Sequence, residues 1–291
     1  MATGDVSNRI RESVSGVVKG TSDAFTGTLE TVRDTVTGTL RGAPDLAKDT
    51  TNTIAESLAG ALQAVGDIGG SLVDVIRGTV TGVLEGIGEI GTVTANAVSN
   101  TMRAALKGTQ QIGGDIAEAT SGTAQAAMSA TKNVAMDVEE TALAVGRGAI
   151  LGAKDIGADV VGAARDTIRG AVRGTTDIAA DAVMTIRSTA TGLVTGAGEV
   201  GADIAGVAKG AVMGAIDVAK DVGIDIEDAA GAAAAGAIDG AKDLGESAVG
   251  AVRAVVGEAA DQAAAAKKAP AKTGAKAKPK AKQAPKKPPA N

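Results

Sequence analysis

The chain lacks several classes of side chain altogether. Its 291 residues include no His, Cys, Trp or Tyr and a single Phe. Without imidazole or thiol groups, only carboxylates, hydroxyls and amines remain for acid–base, nucleophilic or metal-binding chemistry. We therefore expect a non-enzymatic protein with no cofactor and no metal. The absence of Cys leaves the redox compartment open.

Long apolar runs are missing as well. The longest stretches without a charged residue are 90–102 and 119–131, and both are too short to span a bilayer. Residues 1–12 contain no apolar core of the kind found in signal peptides. We expect a cytoplasmic protein, peripheral on a granule or droplet surface, that neither crosses a membrane nor carries a visible secretion signal.

What the sequence does contain is a repeat of 22 residues. Eleven units follow one another without insertion from Ser15 to Val256. The fourth position is always apolar and the tenth nearly always, and the other apolar preferences are spaced by three or four residues, as in a helix. One unit makes six turns of about 3.67 residues, which keeps one apolar stripe on one face. Basic positions (1, 5, 8 and 19) and acidic positions (9, 13 and 16) divide the opposite face, and neighbouring antiparallel or staggered helices can pair these edges.

This pattern predicts an all-α protein: a long amphipathic helical repeat, extended or folded into hairpins, with a disordered C-terminal tail. The predicted segments are a lead-in (1–14), the repeats (15–256), an Ala-rich helix end (257–266) and the tail (267–291). Glycine recurs at positions 2, 6 and 11 and costs about 1 kcal/mol per residue in a helix. We therefore expect the chain to be partly disordered until its stripe packs against an apolar surface, against a partner or against another part of the same chain. A continuous helix would measure about 360 Å, with a kink or break at Pro44.

The apolar stripe is the first candidate site, because a stripe of this width suits binding to an apolar lipid or granule surface. Its candidate residues are Val18, Leu40, Leu62, Ile68, Leu84, Ile90, Leu106, Ile112, Ile150, Ile156, Val172, Ile178, Val194, Val200, Ile216, Val222, Ile238 and Leu244.

Three glycine and carboxylate motifs have simpler interpretations. Pairs four residues apart, such as Gly148/Gly152 and Gly236/Gly240, either bring helix backbones together in self-association or hairpins, or merely flank the stripe. Gly-x-Gly-x-x-Gly occurs at 86–91 and 196–201, but neither copy follows a predicted strand, so we reject nucleotide binding. Acidic residues at positions 9 and 13, such as Asp155 and Asp159, are expected on a solvated face rather than around a cation.

Residues 267–291 form the second candidate site. Nine lysines and no acidic residue lie there, whereas the part before Lys267 carries 20 basic and 34 acidic residues, a net charge of −14. This composition favours DNA or another polyanion as partner; the alternatives are a solubilising tail or one that folds onto the acidic body. The candidate binding residues are Lys267, Lys268, Lys272, Lys276, Lys278, Lys280, Lys282, Lys286 and Lys287.

Two resemblances follow from these segments. Stretches such as 18–21, 36–39 and 78–82 resemble the Gly/Thr/Val-rich eleven-residue repeats of perilipins, and the broader pattern is similar to that of synucleins and exchangeable apolipoproteins. The tail resembles the Lys/Ala/Pro tails of linker-histone-like proteins and of phasins, which link storage granules to the nucleoid. The resemblance implies a lipid droplet or granule protein whose tail contacts nucleic acid.

Three functions are compatible with these observations. The first is a structural coat that adsorbs to a lipid droplet or storage granule through the stripe and binds a polyanion through the tail. The second is a stress protectant like the late-embryogenesis-abundant proteins, although the mean hydropathy of +0.14 is high for that class. The third is a self-assembling helical repeat protein whose glycine edges close hairpins or layers.

Overall fold

The structure, a computed structural model, describes residues 7–8, 10–12, 15, 24–41, 46–68, 71–89 and 93–268, and some of these without their side chains. From residue 24 onward the described part forms eleven helices. They are α1 (Ala24–Arg41), α2 (Leu46–Ile68), α3 (Leu72–Gly88), α4 (Ala95–Gln111), α5 (Ile116–Val134), α6 (Val138–Asp155), α7 (Val160–Asp177), α8 (Ala182–Glu199), α9 (Ile204–Val222), α10 (Ile226–Lys242) and α11 (Glu246–Lys268).

An aspartate at position 13 of the repeat starts each helix from α5 to α10. These N-caps run from Asp115 to Asp225, one in each unit, and each carboxylate accepts a hydrogen bond from a backbone N–H of the first turn. Such a cap stabilises a helix by about 0.5–2 kcal/mol. The repeat length is therefore one helix plus one turn.

Position 11 ends each helix from α4 to α10, because the chain there turns through the left-handed region. Gly157 has φ +67, and the N–H of Ala158 donates to the carbonyl of Ala153 at 2.8 Å, closing the turn after α6. This bonding pattern is that of the Schellman motif, for which glycine is the preferred residue. Ala135 and Ala179 replace glycine at the same position and also have positive φ, at 52 and 55.

The helices stack in two layers. Odd-numbered helices form the odd layer and even-numbered helices the even layer, and each helix contacts the next but one within its layer and the next across the layers. Among the described helices no other pair is in contact. The molecule is thus a helical solenoid in which each unit packs only against near neighbours.

Helices in one layer run parallel. Gly170 and Gly174 of α7 lie against Ser121 and Gln125 of α5 in the same chain order. Consecutive helices, joined from α4 onward by three or four residues, return in the opposite direction. A layer is therefore about 27 Å wide, the length of an 18-residue helix.

The core consists of Ala, Val, Ile, Leu and Met with buried Thr between them. Buried hydroxyls mostly donate to their own helix: Thr101 Oγ1 lies 2.8 Å from the Ala97 carbonyl and Thr167 Oγ1 lies 2.6 Å from that of Ala163. These threonines fill core volume without leaving an unpaired donor.

The predicted all-α class is confirmed, and of its two forms the folded one is present. In place of the extended alternative, a continuous rod, the chain forms helices of 17 to 23 residues, because caps and turns interrupt the stripe once per unit from α4 onward. Residues 257–266, predicted as an Ala-rich helix end, lie within α11, which continues to Lys268. Pro44 and the tail from 269 lie outside the described residues. No described helix is long and apolar enough to cross a bilayer.

Candidate functional site

Position 4 of the stripe lies in the core. In the seven units that begin at residues 59 to 191, these side chains are at most 1% exposed: Leu62, Leu84, Leu106, Met128, Ile150, Val172 and Val194. Ile216 and Ile238 are half-buried and pack against the same core. Position 4 thus contacts other helices of the chain instead of solvent.

Position 10 of the stripe lies at the helix ends. Ile112, Ile156, Ile178, Val200, Val222 and Leu244 all lie at the last residue of a helix or just after it, and each is half-buried. All except Ile178 pack against the core. They shield the turns from water, so binding of the stripe to an external surface stays a proposal that requires the helices to separate.

Several candidate residues lie outside the described part. These are Val18, Ile90 and the side chains of Leu40 and Ile68. Lys267 and Lys268 lie in the last turn of α11, but their side chains are not described, and Lys272, Lys276, Lys278, Lys280, Lys282, Lys286 and Lys287 follow beyond it.

Glycines at positions 2 and 6 hold the layers together. A Cβ on Gly148 of α6 would lie 2.6 Å from the Ser99 carbonyl of α4, and one on Gly240 would lie 2.6 Å from the Thr191 carbonyl of α8. Real Cβ atoms essentially never approach so closely. Of the two interpretations of these motifs, close backbone approach is the one found, and it operates between helices of the same chain.

Ion pairs lie beside the glycine contacts, and four of them have the same separation in sequence. Four arginines bind a carboxylate 52 residues ahead, on the next helix of the same layer: Arg103–Asp155, Arg147–Glu199, Arg165–Asp217 and Arg187–Asp239. The basic and acidic edges do pair, but between parallel helices. Their side chains are about a third to a half exposed, so each pair contributes about 0–1 kcal/mol.

Electrostatic effects are largest where hydrogen bonding and charge combine. A hydrogen bond to Glu199, together with the charge of that carboxylate, raises the pKa of Arg147. Hydrogen bonds from Lys242 and Arg187 lower the pKa of Asp239. The hydrogen bond between Arg187 and Asp239 also raises the pKa of Arg187. Burial raises the pKa of Asp166, although Arg169 opposes the shift. Three of these groups belong to ion pairs that join helices.

The rejected motifs have structural roles. Gly196 and Gly198 lie in α8, and Gly201 has φ +61 in the turn that follows, so this Gly-x-Gly-x-x-Gly copy ends a helix. Asp155 binds Arg103 and Asp159 caps α7. Within the described residues, no three or more Asp and Glu side chains are grouped as a metal site would require.

A shallow groove of about 310 Å³ opens on the odd layer between α3, α5 and α7. Arg77 donates there to the amide oxygen of Gln125, and the Nε atoms of Arg77 and Arg169 are buried without a hydrogen-bond partner. Glu118 and Asp166 line the same groove. Arginines and carboxylates therefore line the same groove, which favours no ligand of one charge.

The sequence interpretation missed the turns, although a signal was present. Acidic residues at position 13 were assigned to a polar flank and glycine at position 11 to helix weakness. Glycine followed two residues later by aspartate is the usual mark of one helix ending and another starting. A larger groove lies between α8 and α10, with Ala232 and Ala235 among its lining residues, and no pattern in the repeat indicated it.

Neither protein-family models nor curated proteins match this chain when compared with it. Its function is therefore argued from its own residues.

Proposed function

We propose that this protein is a non-enzymatic structural scaffold, in which a folded repeat presents the lysine-rich segment 267–291 to a polyanion such as DNA. The observation that carries the proposal is the burial of the stripe by the chain's own helices. A protein that uses its stripe for its own core is stable without an external apolar surface. The folded body then serves as a support for another segment.

Charge favours the lysine segment as the contact. The part before Lys267 has a net charge of −14, and the arginines that form ion pairs are already neutralised by carboxylates. Phosphate groups are repelled by such a body and attracted by nine lysines spaced with Ala and Pro. Counterion release then drives binding, without sequence specificity.

The test compares two variants with the same change in charge. One replaces Lys276, Lys278, Lys280, Lys282 and Lys286 with Gln, and the control replaces five exposed body lysines with Gln: Lys107, Lys132, Lys154, Lys209 and Lys220. Fluorescence anisotropy with a labelled 30-base-pair duplex is measured over a salt series. We expect only the tail variant to lower the slope of log K against log salt, by up to about 0.9 for each phosphate that is no longer neutralised. An equal decrease in both variants would contradict the proposal.

A surface coat is the second candidate, supported by features that weaken the core. Side-chain oxygens of Thr28, Ser57, Thr123 and Thr189 are buried without a hydrogen-bond partner, each at a cost of about 1–3 kcal/mol. Contacts through glycine and alanine also bury little apolar area. An oil surface that accepts the stripe competes with such a core more readily than with one rich in Leu and Phe.

Flotation with a triglyceride emulsion tests the coat. If the helices open and adsorb, the floated protein keeps its helical circular dichroism but loses the slow amide exchange of core residues such as Val172 and Val194. Protein that stays in the aqueous phase, or that floats with its core amides still protected, is evidence against this candidate.

A further inference from the structure

The even layer carries a groove of about 660 Å³ between α8 and α10. Four apolar residues line this groove, and we call them its apolar floor. They are Val183 and Met184, which are 37% and 46% exposed, and Ala232 and Ala235 of α10. Val183 and Met184 are among the few large apolar side chains that the described part leaves exposed. An apolar floor of this kind is typical of a binding surface.

Four carboxylates also line the groove, and we call them its acidic rim. They belong to Glu139, Asp181, Asp228 and Asp239. Arg187, the cation among the lining residues, is held by Asp239 at 2.6 Å, and this hydrogen bond, together with the charges of Asp239 and Glu139, raises the pKa of Arg187. The groove therefore suits an extended cationic segment that also has small apolar side chains.

Helix α11 belongs to the odd layer. Because it runs opposite to α10, it brings the end of the described chain to the edge of the molecule where α8 and α10 begin. It follows α10 after a three-residue turn and runs back along it, and it has 23 residues whereas α10 has 17. At 1.5 Å per residue it extends about 9 Å past the start of α10, the end of that helix that carries Asp228.

The sequence beyond α11 matches the groove in pattern and length. Residues 276–282 read Lys-Ala-Lys-Pro-Lys-Ala-Lys. In an extended chain, alternate side chains point to opposite sides, so Ala277, Pro279 and Ala281 share one side and the lysines the other. Seven extended residues measure about 23 Å, and the residues between Lys268 and Lys276 cover a similar distance, more than the roughly 8–10 Å between packed helix axes.

We propose that residues 276–282 dock in the groove between α8 and α10 of the same chain. Ala277, Pro279 and Ala281 lie on the apolar floor, and the lysines contact the acidic rim. The lysines that contact the rim are then withheld from a polyanion, so docking competes with the polyanion binding proposed above.

Paramagnetic relaxation provides the test, since the chain contains no Cys. A nitroxide is attached to full-length protein carrying Gln283→Cys, and the methyl signals of Met184 and Met213 are compared, with Met184→Leu for assignment. Met213 is 37% exposed on α9, in the odd layer beside α11. Docking reduces the Met184 signal more than twofold and leaves Met213 nearly unchanged. Equal broadening of both signals, or of neither, overturns the proposal.

Paired charge variants locate the contact. Glu139→Gln with Asp228→Asn removes two charges from the rim, and Asp34→Asn with Glu118→Gln removes two exposed charges from the odd layer. The rim variant is expected to restore most of the Met184 signal, as 0.5 M NaCl also does, while the control leaves it reduced. Circular dichroism shows that both are folded. The same Met184 broadening in both variants contradicts docking on the acidic rim.

Discussion

Replacing a single glycine at a helix contact should separate close packing from helix propensity. In Gly148→Ala, the new Cβ lies 2.6 Å from the Ser99 carbonyl oxygen and 2.9 Å from Met102 Cβ. Ordinary contacts begin at 3.4 Å, so α4 and α6 must move apart by roughly 0.8 Å. Because backbone atoms of a packed helix resist this shift, we expect a cost near the upper end of the roughly 1–3 kcal/mol range for overpacking.

Helix propensity acts in the opposite direction. Alanine is about 1 kcal/mol more favourable than glycine inside a helix, so the free energy of unfolding should fall by about 1–2 kcal/mol in Gly148→Ala. Gly231→Ala is the matched control, because Gly231 lies inside α10 and a Cβ there meets no atom within 4 Å. This control should gain about 1 kcal/mol.

Urea denaturation followed by circular dichroism measures the two free energies. Repeat proteins can unfold in segments, so amide exchange in α4 and α6 is needed to locate the destabilised part. The reasoning is refuted if Gly148→Ala proves as stable as Gly231→Ala, since that would show that the Gly148 contact imposes no steric limit.

Three further perturbations have defined outcomes. Ala179→Gly should raise the melting temperature, because a left-handed Ala costs roughly 1–2 kcal/mol; a decrease would contradict the turn geometry. Asp159→Ala should lower the free energy of unfolding by about 1 kcal/mol and Asp159→Asn by less, since Asn also caps helices; equal decreases in the same denaturation assay would exclude a capping role. Asp239→Asn should destabilise at pH 7 and progressively less at acid pH: the pKa of Asp239 is lowered in the folded state, so its contribution is present above the unfolded pKa of about 3.9 and is lost as the pH falls through the folded value. A difference that does not shrink as the pH falls below about 3.9 would mean that the destabilisation is not electrostatic.

The sequence predicts the helical class and the buried face well, for a clear physical reason. Apolar residues at helical spacing must be covered by something, and Ile150 and Val172 are covered in the structure. Periodicity alone does not say what covers them, because the same stripe suits an oil surface, a partner or another helix. The choice depends on Gly157 and Asp159, whose local chemistry ends one helix and starts the next.

The interactions between helices are harder to predict from sequence. Arg147 and Glu199 are 52 residues apart, and nothing near either residue indicates its partner. Once it is known that each unit forms one helix, the separation of 52 residues can be understood: it equals two units of the repeat plus about two turns of helix. The groove between α8 and α10 is less predictable still, because its lining residues come from separate helices whose packing the sequence does not specify.

Contact between each helix and only its nearest neighbours has a consequence for how the chain folds during synthesis. Arg33 and Glu89, which form an ion pair beside the contact between α1 and α3, are only 56 positions apart in the sequence. Such low contact order is typical of fast folding, and a helix leaving the ribosome meets both earlier partners already made. The nascent chain can therefore bury each apolar stripe one unit at a time, so that little of it is exposed to aggregation at any moment.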